Sequence, residues 1–281
     1  MAALMLGGRA AAGLPGALIR RFEQRFAFFP VPGAGVTPRD FGATYAPLTI
    51  ETDDGERLHA WWLAGQKVRA RVLYFHGNGG NLSVWAPIVI GMAAHDCAVL
   101  AVDYRGYGLS TGRPTERGLY RDTAATVERF WQADPSTNVP MVYWGRSLGV
   151  AMASYAATLR RPDGLILESG FLNVRSLVRG RALLAVLAKL SSYRFPADEF
   201  LRRLGTSVPT LVLHGDADRV VPIGQGRALF EAIAGRKQFV SIRGGDHNDA
   251  TPADPGIYWG AVSDFLEELR KRPTPSPPFD G

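Results

Sequence analysis

Gly145-Arg146-Ser147-Leu148-Gly149 is the stretch whose residue types and spacing could most readily do chemistry. It follows an apolar run, Met141-Val142-Tyr143-Trp144, and precedes a helix-like stretch over 150–159. A G-x-S-x-G sequence between a strand and a helix predicts a sharp turn that presents the serine hydroxyl outward. Such a turn holds Ser147 at a positive φ. Residues two before and two after the serine crowd its side chain, so glycine fits both. The helix starts directly after the serine. Its free N–H groups and positive end then face any negative charge that develops beside the hydroxyl. In a chain with 32 glycines the five residues alone carry modest weight, and the flanking strand and helix supply the rest.

A serine hydroxyl is a weak nucleophile that needs a base, and the base needs an orienting acid. With five histidines, elimination is practicable. His59 sits inside a strand, His76 ends a strand beside a Gly-rich loop, and His95 ends a helix. His214 ends a strand within Leu213-His214-Gly215-Asp216-Ala217-Asp218. His247 lies in Arg243-Gly244-Gly245-Asp246-His247-Asn248-Asp249, between the last strand and the last helix. After an elbow serine the acid comes next along the chain, then the histidine. Only His247 is both loop-borne and downstream of a strand-end carboxylate. The acid is Asp216 or Asp218. Asp218 is preferred, because Arg219-Val220-Val221-Pro222 leads the chain away after it. Asp216 then bonds backbone N–H groups of its own turn. Asp246 and Asp249 read as loop-capping carboxylates.

Attack on a carbonyl makes an oxyanion, which needs fixed N–H donors. Leu148, at the head of the elbow helix, offers one. Asn78, in His76-Gly77-Asn78-Gly79-Gly80-Asn81, offers the second, and the glycines let that loop bend inward. The loop lacks the Lys-Ser/Thr ending of a phosphate cradle.

The elements that must position these groups can be read in order. Strands are predicted over 48–52 and 58–63, joined by the turn Asp53-Asp54-Gly55, then over 72–75, 98–102, 141–144, 164–167, 210–214 and 238–242. Helices are predicted over 83–95, 119–131, 150–159, 224–234 and 256–271. This alternation implies an α/β fold: a mostly parallel twisted sheet with an initial antiparallel hairpin and helices on both faces. Residues 171–207 interrupt the alternation, with a helical piece at 182–190. They read as a short lid insertion above the strand carboxyl ends. Its apolar residues include Leu177, Val178, Leu183, Leu184, Val186, Leu187 and Leu190, with Arg175, Arg179, Arg181 and Lys189 between them. Residues 1–43 are assigned to an N-terminal helix and irregular lead-in, 44–271 to the main domain, and 272–281 to a disordered Pro-rich tail.

The 281 residues, 46% apolar and 21% charged, suit one globular domain with a large core. The net charge of +6 comes from scattered arginines with acidic residues between them, which excludes a nucleic-acid stripe. The single cysteine, Cys97, lies in an apolar run and reads as core, consistent with a reducing compartment. Residues 1–19 are interrupted by Arg9 and Pro15 and make neither a spanning helix nor a signal peptide. Residues 18–29 mix bulky apolar and basic side chains. Packing on the domain is preferred there over a membrane-surface anchor.

As a set, His76 to Asn81, Asp103-Tyr104-Arg105-Gly106-Tyr107-Gly108, Gly145 to Gly149, His214 to Pro222 and Asp246-His247-Asn248 resemble the α/β-hydrolase superfamily. The branch they are most similar to is the small-lidded one that includes eukaryotic hydrolase-domain proteins, some of them depalmitoylases. Phe28-Phe29-Pro30 and Asp54-Gly55-Glu56-Arg57-Leu58-His59-Ala60-Trp61 resemble it too. The resemblance spans residues 20 to 270. It implies a Ser147–Asp218–His247 triad, no metal or organic cofactor, and hydrolysis of an ester, thioester or amide. Members of that branch often start with a membrane helix or a palmitoylated Cys-rich segment, and neither is seen here. The expectation is therefore a cytoplasmic serine esterase acting on a small-molecule or acyl-chain substrate, with peripheral membrane contact through the N-terminal segment or lid. An acyl-protein or acyl-CoA thioesterase is the alternative, and a non-catalytic binding module on the same fold is the third reading.

Overall fold

In a computed structural model, residues 27–133, 138–178, 193–249 and 251–271 are described. The N-terminal helix, the helical piece at 182–190 and the tail lie outside these residues.

The fold is that of an α/β-hydrolase. Its sheet is built from β2 (Ala46–Glu51), β3 (Arg57–Ala64), β4 (Ala70–Phe75), β6 (Cys97–Val102), β7 (Met141–Arg146), β8 (Gly164–Glu168), β9 (Thr210–Gly215) and β10 (Lys237–Ile242). Across the sheet they run β10-β9-β8-β7-β4-β6-β3-β2. β3 is antiparallel to both of its neighbours, and the pairs from β6 through β10 are parallel. The central strands β4, β6, β7 and β8 are buried at every position. That is why they are continuous apolar runs and not alternating ones.

Helices cover both faces. On one side α2 (Glu116–Gln132) and α3 (Leu148–Leu159) join a core that includes Leu73, Phe75, Val127, Phe130, Tyr143 and Leu165. On the other, α1 (Leu82–Ala94) and α7 (Pro255–Arg270) pack over Val72, Tyr74, Val99, Trp144 and Ile166. α3 is rich in Ala and buried along its whole first half, from Leu148 to Ser154, so its N-terminus is fixed beneath the site. α1 is capped by Asn81, whose side chain accepts the Ser83 N–H. α6 (Ile223–Ala232) packs on β9 and the edge strand β10.

Residues 30–47 read as irregular from composition, but they are tied down. Here β1 (Phe29–Pro30) pairs in parallel with β5 (Gly79–Gly80), inside the Gly-rich loop. Asn81 Nδ2 donates to the carbonyls of Val31 and Gly33, and the Gly33 N–H donates to Gly108. A single turn of 3-10 helix follows at Pro38–Phe41. The glycines and prolines stop long strands from forming, yet backbone pairing still fixes the path. The described ends of the insertion hold two short helices, α4 (Val174–Leu177) and α5 (Ala197–Leu204).

Candidate active site

β7 delivers Ser147 into a turn with φ of 54°. Both flanking glycines are demanded by space. A Cβ on Gly145 would lie 2.1 Å from the Gly149 carbonyl oxygen, and one on Gly149 would lie 2.0 Å from that of Phe75. The Ser147 N–H is held by the Glu168 carbonyl at 2.9 Å. The Leu148 N–H, first in α3, has no intrahelical acceptor.

Ser147 Oγ lies 2.9 Å from His247 Nε2, and His247 Nδ1 lies 2.8 Å from Asp218 Oδ2. A carboxylate beside Nδ1 fixes the proton there and leaves Nε2 as the acceptor for the hydroxyl. All three side chains are buried. Asp218 Oδ1 accepts the N–H groups of Val220 and Val221 at 3.0 and 2.7 Å, so both of its oxygens have partners.

Asp216 is exposed and stands apart from His247. It accepts the Gly244 N–H at 2.7 Å. Its partner is the neighbouring loop and not, as the turn chemistry suggested, its own turn. β9 and β10 are adjacent, which brings the two loops within reach. Asp246 accepts the His247 N–H, and Asp249 accepts that of Asp246. Ser169, the other serine beyond a strand end, forms no hydrogen bond to a histidine.

Asn78 braces its loop. Its Nδ2 donates to the Ala27 carbonyl at 2.8 Å, and the single Tyr107 Oη–H is shared between its carbonyl and its Oδ1, at 3.0 and 2.9 Å. Behind it, Asp103 Oδ1 is 3.4 Å from His76 Nε2 and its Oδ2 is 3.3 Å from His59 Nδ1. Burial alone would raise the Asp103 carboxyl. The bonds from His59 and His76 outweigh it and hold the group below its usual range. Tyr107 and Asp103 stood within a recognised motif, but sequence gave them no role, because their partners are far along the chain.

A family profile described as serine aminopeptidase, S33, matches residues 66–206, which include Ser147 and end before Asp218 and His247. An uncharacterized protein of Mycobacterium tuberculosis is 32% identical over 251 residues, covering 88% of each chain. An uncharacterized membrane protein of Saccharomyces cerevisiae is 32% identical over 237 residues, covering 83% of each. The chain belongs to this α/β-hydrolase family. Among solved structures, the hydrolase shares its fold with the esterase Pf2001 of Pyrococcus furiosus. The TM-score is 0.68 at 18% identity, covering 85% of this chain and 96% of that one.

In the hydrolase, Ser147 and His247 open into a cavity of about 560 Å³. Phe29, Val84, Trp85, Phe171, Val174, Leu177, Tyr193, Phe195 and Val220 make its walls, so both described ends of the insertion face the Ser147 side of the cavity. Among the described lining residues none is Asp, Glu, Lys or Arg. A wider open groove of about 950 Å³ runs along β2 and α2, rimmed by Glu51, Asp53, Arg117 and Arg121. It holds no nucleophile and base together, so the smaller cavity is the candidate active site.

His214 forms the floor beneath the acid. Its Nε2 is 2.8 Å from the Val221 carbonyl and 3.5 Å from Asp218 Oδ2. Burial pushes its pKa down, so it is a neutral neighbour and adds no charge to the Asp218–His247 pair. Among the described residues no cluster of side chains could hold a metal ion, and no helix is long and apolar enough to cross a membrane.

Proposed function

We propose that the hydrolase cleaves carboxylic esters of apolar acyl groups through an acyl-enzyme on Ser147. His247 Nε2 takes the hydroxyl proton as Oγ attacks the acyl carbon. Asp218 holds the imidazole and balances the imidazolium that forms. The N–H groups of Leu148 and Asn78 stabilise the oxyanion. His247 then gives its proton to the leaving alkoxide, and the alcohol departs. A water, deprotonated by the same nitrogen, releases the acid and restores the serine. The observation that carries this reading is the 2.9 and 2.8 Å chain from Ser147 through His247 to Asp218, opening into an apolar cavity.

The absence of charge in the described lining favours esters over aminopeptidase substrates. An aminopeptidase must receive a substrate α-ammonium, and a buried ammonium needs a carboxylate partner. None lines the cavity among the described residues, and 179–192 contains no acidic residue. Thioesters of the same acyl groups are the second reading, favoured by the same apolar walls, because those walls meet the acyl half and not the leaving group. A p-nitrophenyl ester series of increasing chain length, run beside acyl-CoA thioesters and an amino-acid p-nitroanilide, tests this. Turnover is expected to rise with chain length and to be absent with the anilide. Faster cleavage of the anilide would refute the ester reading. Absence of labelling by a fluorophosphonate probe would make the protein a binding module.

A further inference from the structure

Arg146 sits beside the nucleophile in sequence, but its side chain is not part of the acyl cavity wall. It is 4% exposed. Its Nη1 donates to Glu168 Oε1 at 2.9 Å, while Nη2 donates to the backbone carbonyls of His247 at 3.0 Å and Asp249 at 2.7 Å. The guanidinium lies over the Trp85 ring, 4.9 Å from its centroid. Glu168 is itself fixed, since its Oε2 accepts from Trp144 Nε1 at 3.0 Å and from Tyr258 Oη at 2.9 Å.

Stability does not explain this arrangement. Taking an ion pair out of water costs about as much as the attraction returns, and apolar replacements are often neutral or better. Position does. A backbone hydrogen bond from Ala217 to Gly245 ties the 243–249 loop to the β9 turn, and one from Asp216 to Ile242 ties the end of β10 to it. Among the described residues no backbone hydrogen bond ties that loop to the elbow. Apart from the reacting pair itself, the link from the elbow to the histidine loop is the Arg146 fork. A lysine could supply the charge, but its single nitrogen cannot reproduce the planar fork that meets a carboxylate and two carbonyls in different directions.

We infer that Arg146 is a positioning residue that clamps the His247 loop to the nucleophile turn, with Glu168 and Tyr258 setting the guanidinium. The inference rests on His247 being the base of the proposed reaction. It also makes a claim about the loop that can be checked without turnover.

Three variants test it: Arg146→Met, Arg146→Lys and the charge-balanced double variant Arg146→Met with Glu168→Leu. Two quantities are read, kcat and KM for a p-nitrophenyl ester and amide hydrogen exchange over residues 244–249. A displacement of about 1 Å at a reacting centre costs on the order of 100-fold in rate. All three variants are therefore expected to lose roughly 10- to 100-fold in kcat, with KM within about two-fold. Exchange over 244–249 should rise, while exchange in β4 and β6 stays as in the wild type. A merely structural arginine predicts otherwise: the double variant, with no buried charge left over, would recover wild-type kcat and loop exchange. Such recovery overturns the inference, as does an Arg146→Lys variant with unchanged kcat. If Arg146→Met fails to fold, the double variant and Arg146→Lys decide. If the wild-type protein neither turns over ester nor labels with fluorophosphonate, the proposed function fails. The exchange arm then decides alone, and unchanged exchange over 244–249 refutes the clamp.

Discussion

In the proposed reaction Ser147, His247 and Asp218 divide the labour of one proton transfer, and each answers to a different physical need. The serine needs its hydroxyl presented to the cavity, which the positive φ provides. The histidine needs one tautomer, which Asp218 imposes at 2.8 Å. The acid needs a fixed orientation while buried, and the N–H groups of Val220 and Val221 hold its second oxygen. Ser147→Ala is expected to lower kcat by about 10³-fold or more, since such residues act as a unit. The variant's melting curve should match the wild type, because the loss is one oxygen at a cavity wall. Near-normal activity in purified Ser147→Ala protein would remove Ser147 from the mechanism. Asp218→Asn keeps the shape but offers an amide where the imidazole N–H must donate. A loss of about 10³- to 10⁴-fold in kcat is expected, and a loss under ten-fold would point to another acid.

At the scale of elements, the elbow and the Gly-rich loop are set by close backbone approach. Gly149→Ala would put a methyl 2.0 Å from the Phe75 carbonyl oxygen, between two backbone segments that cannot swing aside. The variant should be destabilised by more than about 3 kcal/mol, visible as insoluble protein or a collapsed denaturant midpoint. A stable, active Gly149→Ala protein would contradict the crowding described for the turn. The loop beside it depends on side-chain bracing. Tyr107→Phe removes the donor that holds both the carbonyl and Oδ1 of Asn78. An unsatisfied buried acceptor costs about 1 to 3 kcal/mol. If a comparable amount is lost from oxyanion binding, kcat/KM should fall roughly 5- to 30-fold for a shift of 1 to 2 kcal/mol. Kinetics equal to the wild type would mean that Asn78 does not hold the oxyanion donor in place.

Across the whole molecule, two buried groups make the fold sensitive to acid in the same direction. Burial depresses the His214 pKa below 6.5, so the unfolded chain binds a proton that the folded chain refuses. That contribution is complete above pH 6.5 and is lost as the pH falls toward the folded value. Asp103 is held below 3.8 by its two histidines, so its contribution is present above that pH and is lost beneath it. His214 is expected to lower the melting temperature below about pH 6.5, against an opposing contribution from Asp122, whose carboxyl burial pushes up to about 6, and Asp103 to lower it again below about pH 4. His214→Gln should remove the first of these declines only. Equal changes in melting temperature between about pH 7 and pH 5 for the wild type and His214→Gln would contradict the neutral His214.

The sequence by itself determined the local features. Apolar runs without alternation require strands buried on both faces, which fixes a parallel sheet under helices. G-x-S-x-G between a strand and a helix requires the sharp turn, because no larger residue fits at 145 or 149. Among five histidines, chain order and loop placement left His247. These features are legible because their causes act within a few residues. Other features are set by contacts between distant segments, and sheet order decides which loops meet. Asp216 and Asp218 are two residues apart and chemically alike, yet only Asp218 faces His247, because β9 lies beside β10 and the chain turns between them. The binding of residues 29–33 to the Gly-rich loop was hidden by a composition that discourages long strands. Arg146 gave no signal at all. Its acceptors lie 101 and 103 residues away, and only the folded sheet brings a guanidinium on the elbow under the carbonyls of the histidine loop.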